Sequence, residues 1–176
     1  MPAIFLFCIL LLCACTPSER MDGYVYFRLS ANPSTLDPAL IVDVNSSEIA
    51  SKLFNGLVKL DAQMRIDGDI AERWTVSNDG RKYCFYLRRD VRFSDGRPLM
   101  AADVLYSFER VLEPQTRSPN TWIFQYVKGA QEFQSGQAST VSGFRVINEH
   151  TFEITLKHPF SPFLSLLTMP PAFIVQ

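Results

Sequence analysis

The side chains best suited to chemistry are few and widely spaced. His150 and His158 are the two histidines of the 176-residue sequence, and with no cysteine pair near them they lack the ligand spacing of a zinc site. Both read as solvated residues at a turn and a strand end. Asp67-Gly68-Asp69 lacks the run of oxygen ligands that a calcium loop needs and reads as a tight turn. Gly-x-Ser-x-Gly, Ser-x-x-Lys and phosphate-cradling glycine patterns are missing from the sequence, so it offers no catalytic residue, no metal site and no cofactor site. Arg88, Arg89 and Arg92 form the densest basic cluster, but Asp90 and Asp95 stand beside them. The reading is a solvated strand end, in preference to an anion site.

Three of the four cysteines, Cys8, Cys13 and Cys15, lie within the first 15 residues, and the remainder keeps only Cys84. No disulfide can form within that body. A lone thiol in the run Tyr83-Cys84-Phe85-Tyr86-Leu87 reads as a small core residue and not a nucleophile. The 17 basic and 18 acidic residues give a net charge of −1, which argues against a nucleic-acid partner.

The apolar residues are unevenly distributed. Met1 to Ala14 holds one proline and otherwise only apolar residues, and no charge precedes Glu19. A run of about a dozen apolar residues is too short for a bilayer core that needs roughly 20, and has the length of a secretion-signal core. Leu12-Cys13-Ala14-Cys15 resembles the lipobox of bacterial lipoproteins. That implies a signal peptide over 1–14, lipidation of Cys15, a linker over 15–23 and a folded body over 24–176. The protein would then be exported and membrane-anchored in the periplasm or cell envelope. A buried N-terminal helix is the other reading of 1–14, and Thr16-Pro17-Ser18-Glu19-Arg20 opposes it by breaking directly into linker-like sequence.

The elements of the body follow from its periodicity. Tyr24 to Leu29 reads as a strand leaving into the turn-prone stretch from Asn32 to Pro38. Asn45, with Glu48 three residues on, predicts the cap of a helix over about 46–55, stopped at Gly56 in a left-handed conformation. Leu57 to Leu60 predicts a strand. Trp74 to Val76 and Tyr83 to Leu87 flank Asn78-Asp79-Gly80, which predicts a hairpin, and Ser94-Asp95-Gly96 predicts a second turn. Ala101 to Leu112 sets Val104, Leu105, Phe108, Val111 and Leu112 on one helical face, ended by Pro114. A helical stretch carries Trp122, Phe124 and Tyr126, and 129–142 shows no pattern. Phe144 to Val146 and Thr151 to Leu156 predict a second hairpin, Pro162 to Leu167 a short helix, and Phe173 to Val175 a last strand. The class is α+β.

Ala71, Trp74, Asp79, Gly80, Leu87, Arg88, Val91, Phe93, Asp95, Gly96 and Pro98, followed by Ala101, Asp103, Val104, Tyr106, Ser107 and Phe108, form a pattern that resembles the signature of the family 5 bacterial extracellular solute-binding proteins. These are the peptide- and nickel-binding receptors of ATP-binding-cassette importers. Thr35-Leu36-Asp37-Pro38 and Leu53-Phe54-Asn55-Gly56-Leu57 extend the likeness upstream, and Asn148 to Phe152 extends it downstream. Ser118-Pro119 and Gln125-Tyr126 favour the oligopeptide-binding branch. The resemblance implies the first lobe of a type II periplasmic-binding-protein fold, a mixed sheet with hairpins and flanking helices, and an incomplete second lobe. Its signature residues are structural, with Val104, Tyr106 and Phe108 packing the helix. Met100 stands where the family caps that helix with threonine, a loss of about 1 kcal/mol, which Asp103 in the first turn partly offsets through the helix dipole.

For ligand contact, the resemblance implies that the backbone of Val42, Asp43 and Val44 lines the cleft and pairs with peptide as an added strand; the other reading is an ordinary loop leading to the helix cap. Asn120 stands where relatives place an aromatic near the ligand, and Trp122 is the candidate to replace it. The expected protein is a non-enzymatic peptide receptor working with a permease and an ATPase. Because the second lobe would lie beyond Gln176, it is expected to be a truncated form with little or no peptide affinity, unable to close on ligand alone. Receptors for dipeptide, murein peptide, nickel complex or haem are alternatives, as is a truncated surface lipoprotein serving as an interaction module or persisting as a decayed gene product.

Overall fold

The computed structural model describes Gly23, Tyr26 and residues 28–176. The leader, Cys15 and half of the expected strand over 24–29 (residues 24, 25 and 27) lie outside the described residues.

Two hairpins form the central sheet. Strand β3 (Ala71–Val76) pairs antiparallel with β4 (Lys82–Leu87), which pairs with β6 (Thr151–Thr155), which pairs with β5 (Phe144–Asn148), giving the order β3-β4-β6-β5. Every strand pair among the described residues is antiparallel. The hairpin turn forms as its Asp-Gly pair predicts: Gly80 has φ 67°, a conformation open to glycine at little cost. The Asp79 carboxylate is lowered to about 2, chiefly by the Ser77 hydroxyl and then by Arg81. Tyr83, Phe85 and Leu87 are buried on one face, and so are Phe152 and Ile154 of β6. That is the period-two burial of a sheet packed on one side. Cys84 therefore lies on the opposite face, opposite Thr75 and Glu153, and is half-buried. The expectation of a core thiol is corrected.

Helix α2 (Ala101–Leu112) covers the inner face with the predicted bounds. Phe108 meets Phe124, Phe144 and Phe152 at centroid distances of 4.8, 5.6 and 5.9 Å, an aromatic cluster at the centre of the core. Tyr106 is 53% exposed: it lies on the outer side of α2 and does not pack it as expected. The missing cap at Met100 is met by other groups. Asp103 Oδ2 accepts from the Met100 amide at 2.8 Å, the Glu149 carbonyl accepts from the Ala101 amide at 2.8 Å, and Arg97 pairs with Asp103 at 2.9 Å. Glu113, preceding a proline, is extended and ends the helix.

A smaller hairpin, β1 (Val58–Leu60) with β2 (Ile66–Gly68), puts Asp67-Gly68 in a strand, not in the expected turn. The turn lies earlier, where the Asp61 carboxylate accepts from the amides of Gln63 and Arg65, and Met64 has φ 60°. The first helix, α1 (Val44–Leu53), begins two residues before the expected start and is capped by Asp43, not Asn45. Gly56 does not stop it with a left-handed residue. Gly56 pairs with Phe173, and an added Cβ would lie 3.2 Å from the carbonyls of Leu167 and Val58; close approach is what requires glycine.

The stretch with Trp122 is a 3-10 helix, Thr121–Phe124. The unpatterned region holds helix α3 (Ala130–Gln134), which leaves Gly129 at φ 79°. Helix α4 (Phe163–Leu166) forms within the predicted span. Phe173 to Val175 make a single bridge to Gly56 plus an Ile174 to Asn55 hydrogen bond, and form no strand.

Candidate functional site

The expected contact segment lies where the first turn of the body meets α1. Asp37 accepts from the Ala39 amide at 3.1 Å and so caps the 3-10 helix Pro38–Leu40. Both its oxygens accept from Arg110 of α2, with Nη1 at 2.8 Å from Oδ1 and Nη2 against Oδ2. This bidentate pair holds the Asp37 carboxyl below its ordinary value and the Arg110 guanidinium above its own. The turn is thereby fixed to the helix that carries the core.

Beyond the turn the chain is extended. Ile41 has φ −68° and ψ 126°, and Asp43 has φ −123° and ψ 158°. Asn120 is 8% exposed, and its amide nitrogen donates to the carbonyls of Ala39 at 3.2 Å and Ile41 at 2.9 Å. Ser118 donates its hydroxyl to the same Ala39 carbonyl. On the other side, Asp43 Oδ1 accepts from the Ser46 amide at 2.8 Å, and Oδ2 accepts from the hydroxyls of Ser34 and Ser46 at 2.6 and 2.7 Å. These bonds, that from Ser34 foremost, lower the Asp43 carboxyl to about 2. Its charge is spent within the fold.

The segment is open to solvent and part of its backbone is unpaired. Val42 is 71% and Val44 82% exposed, and among the described residues no hydrogen-bond partner meets the N–H or C=O of Val42. Ile41 to Val44 line a hollow of about 350 Å³ with Ser47, Asn120, Met169, Pro170 and Pro171. An extended backbone edge beside an apolar wall can add a strand to itself.

The two other expected contacts separate. Asn120 lines this hollow, but its polar head is turned to carbonyls, so it positions the segment. Trp122 lines a different groove, with Gln125, Gln131 and Gln134. Ser118, Ser46 and Arg110 are the positioning residues that sequence reasoning missed; Ser-Pro and the Leu-Asp-Pro turn were the available signals.

The signature residues are structural where contacts define them. Ala71, Leu87, Ala101, Val104, Ser107 and Phe108 are buried, and Trp74, Val91 and Phe93 pack partly against the core. Arg97 lies over the Phe93 ring at 4.4 Å, Asp95 accepts from the Arg97 amide, and Pro98 bridges to Arg92. Gly96 has φ 89°. Arg88, Arg89 and Arg92 are all exposed, as a solvated strand end requires, and on that surface Arg88 donates to the Asp69 carbonyl at 2.8 Å and Arg92 to that of Gly96 at 2.9 Å. His158 is exposed, whereas His150 is half-buried. Among the described residues, no three His, Cys, Asp or Glu side chains are grouped to hold a metal, and no helix is long and apolar enough to cross a membrane.

Residues 65–176 match the family model described as bacterial extracellular solute-binding proteins, family 5 Middle. The periplasmic oligopeptide-binding protein OppA of Escherichia coli is 37% identical over 139 residues, 77% of this chain and 25% of the relative. The probable deoxycholate-binding periplasmic protein YgiS of the same organism is 33% identical over 163 residues, 91% of this chain and 30% of the relative. Among solved structures, the Escherichia coli murein tripeptide binding protein MppA superposes with a TM-score of 0.79 at 33% identity, over 84% of this chain and 30% of that one. The Listeria monocytogenes OppA bound to peptide gives 0.80 at 26% identity, over 84% and 30%. The chain thus spans less than a third of the length of these relatives.

Proposed function

The chain belongs to the bacterial extracellular solute-binding proteins of family 5 and has part of the type II periplasmic-binding-protein fold, and on that premise we propose that it forms one wall of the peptide cleft in the oligopeptide-binding component of an ATP-binding-cassette importer. It binds and does not catalyse. The observation that carries this reading is the extended stretch Ile41 to Asp43, held by Asn120 through the Ile41 carbonyl, with Val42 exposed and its backbone N–H and C=O unpaired among the described residues. A wall that pairs through backbone tolerates varied side chains, as a general peptide receptor must. Closure of a second lobe over this wall would complete the site and present it to the permease and ATPase. Export through 1–14, the linker 15–23, lipidation at Cys15 and the body 24–176 belong to the same proposal.

The test is an amide-resolved NMR titration of residues 15–176 with a mixed oligopeptide pool, paired with calorimetry. Shifts centred on Val42 and Asp43, with affinity too weak for calorimetry, are expected of a half-site. Shifts elsewhere only, or micromolar binding by this chain alone, would sink the proposal. A second titration with deoxycholate decides the ligand class: stronger shifts at the same amides than peptide gives would reassign it. For the anchor, Cys15→Ser should move the protein from the membrane to the soluble fraction.

A further inference from the structure

The Trp122 groove is built unlike the peptide wall. On the 3-10 helix Thr121–Phe124, Ile123 and Phe124 are fully buried, which turns Trp122 outward at 43% exposure. A hollow of about 340 Å³ forms beside it, with Thr121, Gln125, Gln131, Gln134 and Lys157 in its lining. Gln131 and Gln134 are three apart on α3 and share a side of the helix. Gln134 Nε2 donates to Thr121 Oγ1 at 3.2 Å across the groove. An open indole face with amides and a hydroxyl around it offers stacking together with donors and acceptors, and carries no charge except that of Lys157.

Lys157 also lines a second hollow of about 480 Å³, together with Asp79, Arg81, Lys82 and Lys128. Arg81 is paired with Asp79 at 2.8 Å and Lys82 with Glu153 at 3.7 Å. Among the described residues, Lys128 and Lys157 have no ion pair. Their main chain is held firmly: the Lys128 amide donates to Thr155 at 3.0 Å, and the Lys157 amide donates to Tyr126 at 2.8 Å. In a chain of net charge −1, this is a local concentration of positive charge in a concave place, where field lines are focused.

We propose that the two hollows, which share Lys157 in their linings, act together as one site for an acidic saccharide. The sugar ring stacks on Trp122, its hydroxyls meet Thr121 and the glutamine amides, and its phosphate or carboxylate lies between Lys157 and Lys128. Vicinal hydroxyls use the paired donor and acceptor of each amide, which a bare anion does not. The site shares no residue with the peptide wall, so its failure leaves that reading untouched.

The experiment is ligand-observed saturation-transfer NMR with calorimetry on the full chain, using N-acetylglucosamine 6-phosphate, N-acetylglucosamine, inorganic phosphate and adenosine monophosphate as probes. The sugar phosphate should bind about tenfold more tightly than the neutral sugar or phosphate, since each half supplies part of the affinity. Trp122→Ala should weaken it by about tenfold and Trp122→Phe much less, in keeping with an aromatic contribution. K128Q/K157Q should reduce it to the affinity of the neutral sugar. Equal affinity for phosphate and sugar phosphate, indifference to Trp122→Ala, tighter binding of adenosine monophosphate, or no binding of any probe overturns the proposal.

Discussion

The side-chain amide of Asn120 donates at 2.9 Å to the carbonyl of Ile41, a residue 79 positions earlier, and the same nitrogen reaches the Ala39 carbonyl at 3.2 Å. One buried side chain thus sets the course of the segment that leads into α1. Asn120→Ala removes the donor to the Ile41 carbonyl and leaves the Ala39 carbonyl with Ser118 alone. Stability should fall by about 1–3 kcal/mol, the penalty for unsatisfied buried polar groups. Asn120→Asp should be worse, because a carboxylate would face two carbonyl oxygens. Urea unfolding of the two variants checks the order.

The Asp37–Arg110 pair ties the same segment to α2 through two parallel hydrogen bonds. Both side chains are about one-quarter exposed, so solvent screens them only in part. Arg110→Ala should cost about 1–2 kcal/mol, above the range of fully exposed pairs. Arg110→Lys should recover less than half of that, since an ammonium cannot match the planar fork. Thermal unfolding of the two variants is the measurement.

Asp43 and Asp79 are each lowered to about 2, and Asp37 lies below its usual value. Below the unfolded value of about 3.9, the unfolded chain binds protons that these carboxyls refuse in the fold. Their stabilisation is therefore complete above about pH 4 and is lost as the pH falls towards 2. Ser34→Ala removes the foremost cause at Asp43 and should raise that one titration, leaving Asp79 unmoved. A carboxyl-detected NMR titration separates the two sites.

Gly143 lies where three segments meet. A Cβ there would stand 2.6 Å from the carbonyl oxygens of both Lys128 and Thr155 and 2.8 Å from Val127 Cγ1. Gly143→Ala should destabilise the chain by roughly 3 kcal/mol or more, as overpacking against backbone does. At Gly96 nothing lies within 4 Å but φ is +89°, so Gly96→Ala should cost only about 1–2 kcal/mol through the strained dihedral. A reversed order in urea unfolding would contradict the contact geometry.

What could be read from the sequence was local or periodic. The alternation of Tyr83, Phe85 and Leu87, the Asp79-Gly80 turn and the apolar face of Ala101 to Leu112 each predicted the element that formed. The start of α1 was not legible from Asn45 and Glu48, because Ser34, distant in sequence, helps to hold Asp43 as the cap. Gly56 was misread for a related reason: its need arises from Leu167 and Phe173, more than a hundred residues away.

At the site the division is the same. The family resemblance, carried by residue order, implied Val42 to Val44 as the wall and gave Asn120 and Trp122 as candidate contacts beside it. Only the tertiary structure turned Asn120 inward onto two carbonyls and Trp122 outward into a separate groove. Periodicity and turn chemistry act between near neighbours, and so the sequence determined the strands, the long helix and the family signature. The partners of a buried amide or an exposed indole are chosen by packing between distant segments, and that only the folded chain decided.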